Sequence, residues 1–149
     1  MENVIQHQLF YPHPPEAVWG YLTDAELMSQ WLMKSDFLPI LGHEFQFNTG
    51  PVPEMNFDGI FHCKVLEVVP LKKLVYSWQF GPGTGKVTNS VVTWTLNEKD
   101  NGTELLLVHD SFKGAAFMKI FESMNVGWLK NIAKILNLLN VATNGSTQA

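Results

Sequence analysis

The chain has few of the features that mark secreted and membrane proteins. Only one of its 149 residues is a cysteine, Cys63, so no internal disulfide can form and nothing indicates an oxidising compartment. No uncharged run approaches the roughly 18 residues needed to span a bilayer, and the first residues contain neither a basic nor an apolar signal region. We therefore expect a cytoplasmic protein without a membrane span.

Positive charge is also scarce. Lys and Arg together number 10 against 14 Asp and Glu, which gives a formal net charge of -4, and the basic residues are scattered along the chain. A protein that binds a phosphate backbone needs a clustered basic surface. The composition therefore predicts that nucleic acid is not a partner.

Sequence motifs for metal binding and catalysis are absent. The five histidines are His7, His13, His43, His62 and His109. They form no His-x-His or His-Glu-x-x-His pair, and no Gly-x-Ser-x-Gly elbow occurs. Run 81–86 resembles a phosphate loop only superficially, because Phe80 and Val87 stand where that motif needs glycine and a hydroxyl residue. We expect no catalytic residue, no metal and no cofactor.

The length and the apolar content predict a single globular core. A hydrophobic fraction of 46% is too high for a disordered chain. A domain of this size buries about two thirds of the surface that its unfolded chain exposes. We assign residues 1–141 to one domain and residues 142–149, which are small and polar, to a flexible tail.

Hydrophobic periodicity predicts strands followed by one long helix. Alternating patterns predict strands at 4–10, 43–49, 59–69, 74–80, 87–97 and 103–109, separated by glycine, proline and Asp-Asn-Gly turns. Two short helices are expected after the first strand, one at 15–22 and one capped by Thr23 or Asp24.

The C-terminal segment carries an apolar stripe with helical spacing, which predicts a helix over roughly 116–140 with one buried face. The stripe consists of Phe117, Ile120, Phe121, Met124, Trp128, Ile132, Ile135, Leu136 and Leu139. A helix with one apolar face that follows an antiparallel meander is expected to lie across the sheet, which makes the fold class α+β.

Several segments resemble a known family in their order and spacing. They are Pro14-Pro15-Glu16-Ala17-Val18-Trp19, Leu22-Thr23-Asp24, Trp31, Gly59, 65–70, Leu74-Val75-Tyr76-Ser77-Trp78, 103–109 and Gly127-Trp128. Over roughly residues 4–140 the chain resembles the START-like superfamily, and within it the single-domain proteins similar to the C-terminal domain of the Hsp90 ATPase activator. The resemblance implies a helix-grip fold, in which a curved antiparallel sheet wraps around the C-terminal helix and leaves a cavity between them.

Strand alternation turns this expectation into a set of candidate binding residues. If Lys64 and Glu104 point to water, their neighbours in the same strands point inward, toward the helix stripe. The predicted ligand-binding residues are Phe45, Phe47, Phe61, Val65, Tyr76, Trp78, Val92, Trp94, Leu107, His109, Phe121, Met124 and Trp128. Each of them is also suited to be an ordinary core residue, and the sequence does not separate the two roles.

Three functions follow from these residues. The first is binding of a small hydrophobic or aromatic molecule, such as a lipid, a flavonoid or a polyketide-like compound, between the sheet and the helix. The alternative, implied by the resemblance, is interaction with an Hsp90-type chaperone. A third, a cyclase or hydrolase, requires His109, Tyr76 or Glu67 to lie in the cavity with a perturbed pKa.

Overall fold

The architecture is a six-stranded curved antiparallel sheet with a long helix after the last strand, as the sequence predicts. A computed structural model of the chain describes residues 4–55, 57–83, 87–114 and 118–147. The elements are β1 (Ile5–Tyr11), α1 (Pro15–Thr23), α2 (Ala25–Trp31), β2 (Glu44–Asn48), a short 3-10 turn (Pro53–Met55), β3 (Ile60–Val69), β4 (Lys73–Phe80), β5 (Thr88–Lys99), β6 (Gly102–Gly114) and α3 (Met118–Thr147). The α+β class is therefore confirmed.

The strand order is β1-β6-β5-β4-β3-β2, with every pair antiparallel. Strands β2 to β6 form a meander, because each pairs with the next in the chain. Strand β1 joins the far edge beside β6, so the helices α1 and α2 and the connection after them cross from one edge of the sheet to the other. No described helix is long and apolar enough to cross a membrane.

Side-chain alternation holds along the strands except where a bulge interrupts it. The inner rows at Phe61 to Val65 and at Leu105 to His109 are buried, as predicted. In β3 the register changes between Val65 and Glu67, so one extra residue faces β4. This bulge turns Glu67 outward. Simple alternation would have given Glu67 the inward orientation of Val65.

Strand β6 extends five residues beyond the predicted end at His109. Its pairing with β5 also contains an irregularity, opposite the segment between Asn89 and Val91. On β6 the irregular segment includes Ser111, which has a φ of 61°. The left-handed conformation at Ser111 lets the strand continue past the irregularity and brings the Phe112 ring within 4.6 Å of the His109 ring, measured between centroids.

The stripe on α3 is buried against the sheet. Its buried members are Ile120, Met124, Trp128, Ile132, Ile135 and Leu139, while Phe121 and Leu136 are half-buried and Phe117 lies outside the described residues. The hydroxyl of Tyr11 donates a 2.7 Å hydrogen bond to the Ile132 carbonyl, which ties β1 to the helix. The helix continues to Thr147, past the predicted end near residue 140.

The two short helices are held by local and tertiary contacts. Asp24 caps α2, because its carboxylate accepts hydrogen bonds from the backbone N–H groups of Glu26 and Leu27. Trp31 at the end of α2 donates to the Tyr21 carbonyl at 2.7 Å and packs edge-on against Trp94 in the sheet. The segment after β1 is therefore part of the main core.

Candidate ligand-binding cavity

A cavity of about 270 Å³ lies between α3 and the inner face of β3 and β4. This volume is close to the lower end of the roughly 300 to 1,000 Å³ range typical of small-molecule sites. The cavity is lined by Leu32, Met33, Thr49, Val52, Phe57, Phe61, Trp78, Ile120, Ser123, Met124, Gly127, Trp128 and Asn131. The chain thus leaves part of the space between sheet and helix unfilled.

The floor of the cavity is aromatic. Phe61 and Trp78 lie on neighbouring strands with ring centroids 4.5 Å apart, and Trp128 of α3 lies 5.2 Å from Trp78. Met124 stands one helical turn before Trp128, so the two side chains share one face of the helix. These four residues belong to the predicted binding set, and the structure brings them together at one end of the sheet.

The mouth of the cavity is formed by loops and by the flank of α3. Thr49, Val52 and Phe57 come from the connection between β2 and β3, whose two ends are joined by a 2.7 Å hydrogen bond from the Thr49 N–H to the Gly59 carbonyl. Gly59 has a φ of 88°, and a Cβ there would collide with the Gly50 backbone. Glycine is therefore required for this connection to close beside the cavity.

A glycine interrupts the helix wall of the cavity. Gly127 stands in the interior of α3 between Met124 and Trp128, and nothing lies within 4 Å of the position that its Cβ would occupy. Glycine in a helix interior is less stable than alanine by roughly 0.5 to 1 kcal/mol. Here the missing side chain leaves open space next to the aromatic floor.

The other predicted binding residues lie outside the lining of this cavity. Phe47, Val65, Tyr76, Val92, Trp94, Leu107 and His109 are buried in the core, Phe45 is buried beside the sheet edge, and Phe121 is half-buried. Phe121 packs against Phe112, with ring centroids 5.2 Å apart. The inward rows predicted from alternation thus comprise both the cavity floor and the solid core.

Several lining residues were not among the predicted binding residues. Leu32, Met33, Val52 and Phe57 lie in connections that have no periodic pattern, and Thr49 is the last residue of the strand predicted at 43–49. Ser123, Gly127 and Asn131 follow one another at intervals of four along α3, beside the apolar stripe. That line of small and polar residues was the available sequence signal, since such residues next to a buried stripe leave space at a helix flank.

His109 is the centre of a buried hydrogen-bond chain. The indole N–H of Trp128 donates to His109 Nδ1 at 3.1 Å, so Nδ1 carries a lone pair and the ring hydrogen is on Nε2. His109 Nε2 then donates to Ser90 Oγ at 2.8 Å, and the Ser90 hydroxyl donates to the Trp78 carbonyl at 2.6 Å. Both ring nitrogens are engaged. Burial lowers the pKa of His109 to about 3, so the ring is neutral near pH 7.

Tyr76 and Glu67, the other two residues that a cyclase or hydrolase could use, also have structural partners. Burial raises the pKa of Tyr76 above its usual range, and the hydrogen bond that its hydroxyl accepts from Trp94, 2.8 Å long, opposes that shift. Glu67 lies at the surface, 3.4 Å from the Lys73 ammonium group. Neither residue lines the cavity. Across the described ranges, no group of three or more His, Cys, Asp or Glu side chains is placed to hold a metal ion.

A larger, more polar opening lies at the sheet edge between α2 and β2. Its volume is about 790 Å³, and its walls include exposed polar and charged side chains such as Glu26, Lys34 and Asp36. Small-molecule sites are mostly apolar and enclose their ligand. The smaller cavity under α3 is the more apolar of the two, because aromatic and aliphatic side chains form its floor.

A curved antiparallel sheet that grips a long C-terminal helix around an apolar cavity defines a START-like helix-grip protein. The chain belongs to the family described as Activator of Hsp90 ATPase homolog 1-like protein, whose model matches residues 12–140. A comparison with curated proteins finds no significant match.

Solved structures share this architecture over nearly the whole chain. Protein MLL2253 from Mesorhizobium loti is 31% identical, with a TM-score of 0.77 over 92% of this chain and 96% of that chain. Protein BH1534 from Bacillus halodurans is 26% identical, with a TM-score of 0.67 over 90% and 94% of the two chains. DynU16, a protein in the dynemicin biosynthetic locus, is 23% identical, with a TM-score of 0.74, over 95% of this chain and 49% of its own. The present chain therefore spans about half of DynU16.

Proposed function

We propose that this protein reversibly binds a small hydrophobic or aromatic molecule in the cavity under α3. The observation that carries the proposal is the apolar space bounded by Phe61, Trp78 and Trp128, which opens at a helix position where glycine provides no side chain. Burying an apolar ligand there removes its surface from water, at roughly 25 cal/mol per Å². The rings of the floor also present faces and edges for aromatic contacts.

The positions of the titratable groups favour binding of the ligand without chemical conversion. His109 has both nitrogens engaged in the core, Tyr76 is buried beside Trp94, and Glu67 is at the surface. A cyclase or hydrolase needs an acid or base within reach of its substrate. A small-molecule role is also in keeping with the biosynthetic setting of DynU16, which shares the fold.

Filling the gap at Gly127 tests this proposal. We expect tetralin, a two-ring hydrocarbon, to change the tryptophan emission saturably, because Trp78 and Trp128 line the cavity. Gly127→Leu should weaken tetralin binding at least tenfold, since the new side chain enters the ligand space. The free energy of unfolding should stay the same or rise by up to about 1 kcal/mol, because glycine is a poor helix former.

The matched controls are Gly127→Ala and Gly20→Ala. Gly20 lies in α1, where a Cβ would make an ordinary 3.6 Å contact with Leu27. Both alanine variants should gain helix stability, but only Gly127→Ala should weaken tetralin binding. Emission that changes linearly with tetralin, without saturation and without a shift of the unfolding midpoint, would show that the cavity is not a binding site.

Chaperone contact is a second candidate function, which we rank lower. The family description favours it, and so does an exposed apolar surface in the connection between α2 and β2, at Leu38, Ile40 and Leu41. We expect the protein to leave the ATPase rate of an Hsp90-type protein from the same organism unchanged. A dose-dependent stimulation at low micromolar concentration that is lost in Leu41→Ser would reverse the ranking.

A further inference from the structure

We infer that the free edge of β2 is a docking site for an extended, basic peptide segment of a partner protein, which adds to the sheet as a further strand. Strand β2 ends the strand order, so only β3 pairs with it. The larger opening between α2 and β2, called the edge groove below, lies at this edge. The inference is independent of the proposed function, because the edge groove and the cavity under α3 share no lining residue.

The hydrogen bonds at the two ends of β2 show which of its backbone groups face the free edge. The Val65 N–H donates to the His43 carbonyl at 2.9 Å, and the Thr49 N–H donates to the Gly59 carbonyl at 2.7 Å. In an antiparallel pair, residues that bond the partner strand alternate with residues that do not. The odd-numbered residues of β2 therefore bond β3, and the backbone N–H and C=O groups of its even-numbered residues point away from β3.

Three residues present these outward backbone groups. Glu44, Gln46 and Asn48 are exposed, and all three line the edge groove. Within the part of the chain that the structure describes, no backbone hydrogen bond outside the β2–β3 ladder reaches them. A row of unpaired donors and acceptors on an edge strand is a template for an added strand.

The opposite edge of the sheet differs, because a helix is fastened to it. On β1 the His7 Nε2 atom bonds the Asn125 carbonyl at 2.9 Å, and the Tyr11 hydroxyl donates to the Ile132 carbonyl at 2.7 Å. Both carbonyls belong to α3. Folded proteins commonly cover an edge strand with a helix or a loop. At β2 the neighbouring helix α2 instead leaves a groove of about 790 Å³.

The charge of the edge groove favours a basic occupant. Glu26, Asp36 and Glu44 line it, whereas Lys34 is the one lysine among its described lining residues. Lys64 stands opposite Glu44 on β3 but lies outside the lining. A second copy of the chain would place the same acidic side chains against one another, which is unfavourable. A basic segment of a partner protein complements them.

Strand geometry specifies which positions of the peptide carry the charge. In an added strand, the residues directly opposite Glu44, Gln46 and Asn48 share their outward face, so a lysine or arginine there lies beside Glu44. The residues between them point inward, where Phe45 and Cys63 line the groove with apolar surface. Alternating basic and apolar residues along five positions match the 5 residues of β2.

Hydrogen exchange measured by NMR on the wild-type protein tests the inference with the peptide Ac-Lys-Val-Lys-Val-Lys-amide. In the free protein the amides of Glu44, Gln46 and Asn48 should exchange faster than those of Phe45 and Phe47, which bond β3. Saturating peptide should slow exchange at the three edge amides by about tenfold or more, because each gains a hydrogen bond. The Phe45 and Phe47 amides should change less. Ac-Glu-Val-Glu-Val-Glu-amide should bind about tenfold more weakly or worse.

A pair of variants tests the backbone contact separately. Gln46→Pro removes an edge N–H but no bond to β3, and proline is tolerated in edge strands. It should weaken binding of the lysine peptide about tenfold, whereas the matched control Gln46→Ala keeps the N–H and should stay within about twofold of the wild type.

Three results would overturn the inference. They are no binding of the lysine peptide, equal affinity for the two peptides, and binding without slower exchange at the edge amides. Equal binding by folded Gln46→Pro and Gln46→Ala would do the same. Edge amides that become protected as the protein concentration rises, without peptide, would assign the edge to a second copy instead. None of these results bears on the cavity under α3, so the proposed function is tested separately.

Discussion

Replacing Trp128 with alanine is expected to lower the free energy of unfolding by about 3 to 5 kcal/mol, the range for deleting a large buried aromatic side chain. Trp128 is buried on α3, and its ring centroid lies 5.2 Å from that of Trp78 and 5.5 Å from that of Trp94. It also donates the hydrogen bond that holds His109 Nδ1. Alanine removes the packing and leaves a buried acceptor without its partner.

One further variant separates the hydrogen bond from the packing in this loss of stability, and a second serves as a control. Trp128→Phe keeps an aromatic ring but removes the N–H, so we expect it to cost about 1 to 3 kcal/mol. Leu129→Ala changes the next residue, which is exposed, and should stay within about 0.5 kcal/mol of the wild type. Denaturant unfolding at pH 7 measures all three. A Trp128→Ala protein within 1 kcal/mol of the wild type would mean that α3 is not anchored through this residue.

The fold could be predicted from the sequence because its signals are local. Alternation along β4 places Tyr76 and Trp78 on the same face, and the stripe that contains Met124 and Trp128 has helical spacing. Each of these patterns depends on residues a few positions apart. Local alternation alone does not determine the orientation where pairing between strands changes it, as at the β3 bulge, beside which Glu67 is exposed.

The position of the cavity could not be predicted in this way, because it depends on which distant segment fills the space above the sheet. Above Trp94 the space is filled by Trp31, with ring centroids 5.7 Å apart. Phe37 covers Phe45 at 4.9 Å and Tyr76 at 6.3 Å. These rings come from α2 and the connection that follows it. Near Trp78 the same connection contributes Leu32 and Met33, which line the cavity without filling it, and the space next to Gly127 stays open.

The role of His109 illustrates the same limit. Alternation correctly predicts that it faces inward, but its partners are Ser90, 19 positions earlier, and Trp128, 19 positions later. Only the folded arrangement of β5, β6 and α3 brings the three together. Their hydrogen bonds identify His109 as a neutral core residue that connects the sheet to the helix, and this state has a measurable consequence at acidic pH.

We expect the protein to lose stability as the pH falls below about 6.5, because of His109. In the unfolded chain this residue binds a proton near its usual pKa of 6.5, whereas burial lowers the pKa in the folded protein to about 3. Between those values the unfolded state binds more protons, so stability increases with pH. The contribution is fully present above pH 6.5 and is lost toward pH 3, at about 1.4 kcal/mol per pH unit.

His109→Gln isolates this effect, because glutamine can accept from Trp128 and donate to Ser90 without titrating. The variant should be less stable than the wild type at pH 7, since its shape differs from the ring. Between pH 7 and pH 5, however, the wild type should lose about 2 kcal/mol more than the variant. The other four histidines are common to both proteins, so their contributions cancel in the difference. Urea unfolding at pH 7, 6 and 5 measures this difference in stability. Parallel pH profiles for the two proteins would show that His109 is protonated equally in the folded and unfolded states.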